Sequence, residues 1–160
     1  MALWFTDCST MKIILTFALL LLSAVAMAQD DPNWPSLSYL KNDYRSSAVV
    51  AYVRVTEAEV VNRIPGLEDW RVVCEVVEPF KGKFRKGEKL IYYHGAEAGF
   101  RKDLFLGEKI VFLQRNYHEK DKQWVYAAIE NSTLPYNDVR VRKLRTIRNS
   151  AASKRTATKD

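Results

Sequence analysis

Sulfur and imidazole are scarce in this chain: two cysteines and two histidines stand among 160 residues. Cys8 lies ahead of an N-terminal apolar run, which leaves Cys74 without a second thiol. An intrachain disulfide is therefore excluded, and packing must hold the fold. With His94 and His118 as the only imidazoles, the sequence has no HExxH motif, and it has no CxxC pair or EF-hand loop. A Gly-x-Ser-x-Gly elbow and a phosphate-cradling glycine loop are missing as well, which removes the usual nucleophile and nucleotide signatures. Internal repeats are absent, so solenoids and propellers are excluded. The longest apolar run, residues 13–27, covers 15 positions, short of the roughly 20 that cross a hydrocarbon core.

That run is informative for what surrounds it. Lys12 precedes it, and Ala26-Met27-Ala28 closes it with small residues. Charged start, short apolar core and Ala-x-Ala end form the layout of a secretory signal, which predicts cleavage after Ala28. Met11-Lys12 reads as the natural beginning, so residues 1–10 are expected to be a start-site error. The expected organisation is a signal at 1–28, a linker at 29–35 stiffened by Pro32 and Pro35, a domain at 36–148 and a disordered basic tail at 149–160. Export with one cysteine suits a bacterial envelope protein, secreted or periplasmic. In such a source the Asn131-Ser132-Thr133 sequon carries no meaning.

The net charge is +6. From residue 138 onward eight Lys or Arg face only Asp138 and Asp160, which accounts for the whole excess and leaves the chain before it neutral. Electrostatic partners are therefore expected at the C-terminal segment.

Ser36 is placed to cap a short helix carrying Leu37, Leu40 and Tyr44. Five strand-like runs follow, at 48–58, 70–77, 89–94, 109–114 and 123–129. In the first, Val49, Ala51, Val53 and Val55 share a face; in the second, Trp70, Val72, Cys74 and Val76 do. Pro65-Gly66 marks a turn, Pro79 and Gly82 end the second run, 95–107 is a longer loop, and 131–136 is a turn. Asp138 is then placed to cap a last helix with Val141, Leu144 and Ile147 inward. This pattern predicts a mainly β fold, a five-stranded OB-type Greek-key barrel with a short N-terminal helix and a basic C-terminal helix.

The order of motifs also resembles a known family. Val77, Lys81 and Gly82 close the second strand, and Gly107, Glu108, Val111, Phe112 and Leu113 open the fourth. Over roughly residues 46–130 the chain resembles netrin-like or tissue-inhibitor-of-metalloproteinase-type OB domains of exported bacterial proteins. That resemblance implies the barrel. The animal inhibitors chelate a protease zinc with an N-terminal cysteine, whereas the expected mature start here is Gln29-Asp30-Asp31. Their mechanism therefore does not carry over.

Candidate chemistry is thin. Cys74 shares its strand face with Trp70, Val72 and Val76 and reads as a core thiol. His94, Glu97 and Asp103 match no metal spacing, and no cofactor is implied. The expected binding surface combines Tyr92 and Tyr93, one of which should point outward, with Arg71 and Lys89. A second basic surface is expected at Arg140, Arg142 and Arg145 on the last helix. The expected function is a non-enzymatic binding module for a protein or an anionic polymer, with the basic tail also suited to a membrane surface and export arguing against nucleic acid. The alternatives are a protease-inhibitor-like protein and an envelope hydrolase built on His94 and Glu97.

Overall fold

Alternating valines and two helices that cover one side of the sheet account for the architecture of the computed structural model, which describes residues 34–118 and 122–156. The expected signal and most of the linker lie outside the described residues. The described residues from Pro35 onward form one unit. Helix α1 (Leu37–Ser46) leads into strands β1 (Val49–Ile64), β2 (Leu67–Lys81), β3 (Lys89–Glu97), β4 (Gly107–His118) and β5 (Gln123–Pro135), and helix α2 (Asp138–Thr156) ends the chain. The fold is mainly β. Antiparallel pairs join β1 to β2, β2 to β3, β4 to β5 and β1 to β4. A short parallel contact, Tyr93 opposite Ala127 and His94 opposite Ala128, joins β3 to β5. The pairings thus close a ring in the order β1-β2-β3-β5-β4.

Two apolar clusters hold it together. Val49, Ala51, Val53 and Val55 meet Trp70, Val72, Cys74 and Val76 inside the ring, as their alternation predicts. A second cluster lies outside the ring, where Leu40 and Tyr44 of α1 and Val141, Leu144 and Ile147 of α2 cover Val50, Ile110 and Phe112. This explains why 110–113 is apolar without alternation: Val111 and Leu113 face the interior, and Ile110 and Phe112 face the helices.

Local signals position the helices. The Ser36 hydroxyl accepts from the Tyr39 N–H at 3.2 Å, as expected of an N-cap. At the other end of α1, Lys81 Nζ donates to the carbonyls of Tyr44 at 2.7 Å and Arg45 at 2.9 Å, groups that helix geometry leaves without partners. Gly82 follows with φ +107, and a Cβ there would lie 3.1 Å from Val49 Cγ2 and 3.3 Å from the Ala48 carbonyl. The Lys81-Gly82 pair is thus the joint between α1 and the ring.

Several expected boundaries move. Ile64 pairs with Leu67, so the β1–β2 hairpin turns on Pro65-Gly66 alone, with Gly66 at φ +82. Pro79 lies within β2 rather than ending it, at a register shift beside Ala51 where the missing N–H is tolerated. Residues 131–135 are not a turn: β5 slips against β4 between Ala128 and Thr133 and continues to Pro135. Asn137, not Asp138, caps α2, its Oδ1 accepting from the N–H of Val139 at 2.8 Å and of Arg140 at 3.4 Å. Finally, α2 runs to Thr156 instead of stopping at 148, because Ala151 still packs on the outer cluster.

Candidate functional site

The expected sites disperse. Tyr92 is a correction: it shares the inward face of β3 with Leu90, is fully buried, and offers no stacking surface. Tyr93 points outward, yet its ring lies 5.2 Å from His118 at an interplanar angle of 20°, so the two rings cover each other. Arg71 donates to Glu59 at 2.9 Å, and Lys89 stands opposite Glu75 across β2–β3. On the outer face of β2 and β3, Arg71 is thus taken by an ion pair and Lys89 stands beside an acid.

The basic helix is corrected in the same sense. Arg140 is buried and donates to the Pro135 carbonyl at 2.9 Å. Arg145 grips both carboxylate oxygens of Glu78, at 3.0 Å and 2.6 Å, in the fork geometry that makes such pairs strong. Arg148 reaches the same carboxylate at 3.4 Å and the Pro79 carbonyl at 3.3 Å. Lys143 donates to the Pro35 carbonyl at 3.3 Å. The Arg145 hydrogen bonds, with the charge of Arg148 beside them, hold the Glu78 carboxyl below its usual range. Arg142 alone of the three expected residues is exposed with no such contact among the described residues. Most of this helix's described charge clamps it to the ring.

Nucleophilic chemistry finds no support. Cys74 is buried with its thiol toward the Leu90 carbonyl at 3.4 Å, and burial pushes its pKa up to about 12. A thiol so protonated is inert. His94 packs edge-on against Phe105 at 5.2 Å, and burial lowers its pKa, keeping it neutral. Asp103 is bound by Arg101. Among the described residues no three potential metal ligands cluster.

What the fold does assemble is a rim at one end of the ring. Past Leu113, β4 leaves β1 and runs on with β5 as a projecting hairpin. On the face that continues the ring interior, Arg115 stands opposite Tyr126 and Tyr117 opposite Trp124. Trp124 is 59% exposed, more than any other large apolar side chain described. The Arg115 guanidinium lies over its ring at 5.2 Å, and the Tyr117 ring meets it edge-on at 5.6 Å. From the other side comes the β2–β3 loop, whose Phe84 packs edge-on against Tyr126 at 5.4 Å. Between loop and hairpin lies a cleft of about 230 Å³ lined by Lys83, Arg115, Trp124, Val125 and Tyr126. Among the described residues no acid lines it, and neither cation makes an ion pair. Such a site can hold an anion against an aromatic surface. The signals were present as the basic stretch 81–86 and the pair Trp124 and Tyr126, but nothing in the sequence joins them.

A larger cleft of about 490 Å³ lies between the helices, lined in part by Lys41, Arg45 and Lys81. Lys81 is engaged there by the α1 carbonyls, whose partial negative charge opposes an anion. Among the described residues no helix is long and apolar enough to cross a membrane. A comparison with family models finds no match for the chain, and one with curated proteins finds none either.

Proposed function

We propose that the protein is an exported, non-enzymatic binding module of the OB type, similar to netrin-like domains, that holds an anionic partner at the rim between the β2–β3 loop and the β4–β5 hairpin. The ring order β1-β2-β3-β5-β4 supports the OB-type reading, and the signal layout of residues 11–28 supports export. OB barrels bind ligands through the loops at this kind of position, the connection of the fourth and fifth strands among them. The observation that carries the reading is the exposed Trp124 with Arg115 over it and Lys83 in the same cleft, whose described lining holds no acid. The test is retention of the purified protein on an immobilised polyanion against a Lys83→Glu/Arg115→Glu variant. Loss of retention supports the rim, and unchanged retention removes it.

A second reading has one observation in its favour. At the opposite end of the ring Ile64, Leu67 and Leu104 are about half exposed, and the Ala98 N–H bonds the Gly66 carbonyl at 3.1 Å, tying the hairpin tip to the following segment. An inhibitor-like protein acting through loops would use such a tip. Absence of inhibition across a panel of metallo- and serine proteases discards it.

A further inference from the structure

We propose that the rim cleft is a subsite for one uronate residue of an acidic polysaccharide, its ring against Trp124 and its carboxylate received by Arg115 and Lys83. This deepens the reading of the rim as the binding surface and rests on it. The cleft, at about 230 Å³, is smaller than the roughly 300–1,000 Å³ of sites that engulf a small molecule. It therefore fits one ring of a longer chain. The described lining supplies the two things a sugar acid needs: an exposed indole for the apolar face of the ring, and cations with no acid among them. A guanidinium held over an indole keeps its N–H donors, and a carboxylate matches their fork. Arg85 and Lys86 on the same loop, and Lys122 on the same hairpin, offer further charge to neighbouring residues of a polyanion.

The arrangement of the rings favours a saccharide over a nucleic acid strand. Strands of bases bind on successive stacking faces. Here Tyr117 meets Trp124 edge-on at 69°, Phe84 meets Tyr126 edge-on at 67°, and Tyr93 and His118 cover each other. One indole is presented rather than a series.

The test titrates the purified protein with oligogalacturonate, its methyl ester as the uncharged twin, a single-stranded DNA oligonucleotide and vesicles of anionic phospholipid. The expected result is binding of the acid oligomer and not of the ester. Arg115→Ala and Trp124→Ala each weaken that binding by about tenfold, Arg115→Lys weakens it less because charge remains without the fork, and Arg142→Ala leaves it unchanged. Circular dichroism melts verify that each variant folds. Equal binding of acid and ester overturns the carboxylate role of Arg115 and Lys83 and with it the anionic partner, whereas tighter Arg115-dependent binding of DNA or vesicles overturns the saccharide assignment while keeping the rim as the site. Binding that Arg142→Ala weakens and Arg115→Ala does not overturns both readings. So does a failure to bind any of the four probes.

Discussion

The two basic regions of this molecule look alike in composition and behave oppositely. In α2, Arg140, Lys143, Arg145 and Arg148 are turned to carbonyls and to the single carboxylate of Glu78. At the rim, Lys83 and Arg115 face a cleft with no acid in its described lining, and Arg115 rests over an exposed indole. The difference teaches that counting charge along a chain locates cations but not free cations. Residues 1–137 sum to zero, yet their cations and acids separate in space at the rim; the C-terminal excess is largely engaged where it is described.

The comparison can be broken from the α2 side first. Leu144 is fully buried under the helix, against Phe112 and Ile110 in the same cluster. Leu144→Ala is expected to cost about 3 kcal/mol in denaturant unfolding; a loss under about 1 kcal/mol would mean that the outer cluster does not hold the helix. Gly82→Ala comes next, because Gly82 joins the α1 anchor to the rim loop at φ +107 with a tight fit for a Cβ beside Val49. A loss of about 1–3 kcal/mol is expected, measured by thermal melting. If melting is unchanged, that joint is looser than its contacts imply.

Glu78→Gln cuts the clamp itself. The effect is expected to be smaller, and smaller still in high salt, since Arg145 is half exposed. Its pH dependence has a definite sign. The folded-state pKa of Glu78 is lowered, so its contribution is complete above the unfolded value of about 4.3 and is lost as pH falls through the lower folded value. The stability gap between wild type and Glu78→Gln should therefore be flat near neutrality and close on acidification. A gap that widens in acid would refute the clamp. The smallest structural effect is expected at the rim, where Lys83→Glu/Arg115→Glu should shift unfolding by no more than about 0.5 kcal/mol while abolishing polyanion binding. Substantial destabilisation there would turn the rim into a second clamp and erase the contrast.

Much of the scaffold was legible. The alternation of Val49, Ala51, Val53 and Val55 placed them on the interior face, and the Ser36 cap held. Pro79 misled because a bulge absorbed it, and residues 131–135 misled because β5 bends through turn-like residues without ending. The binding surface was less legible. Tyr92 and Tyr93 were distinguishable only as one inward and one outward, and the outward one proved to be covered by His118.

Local order in the chain determined which residues face the interior, where α1 begins, and that Cys74 belongs to the core. Those properties depend on side-chain period and on immediate neighbours, both of which are written in sequence. Only the closed ring and the path of α2 decided which cations are taken and which remain free. Glu78 meets Arg145, and Lys83 comes to line one cleft with Trp124, across long stretches of chain. Such contacts are set by which strands pair and by the face on which a helix lies down, and no local pattern records them.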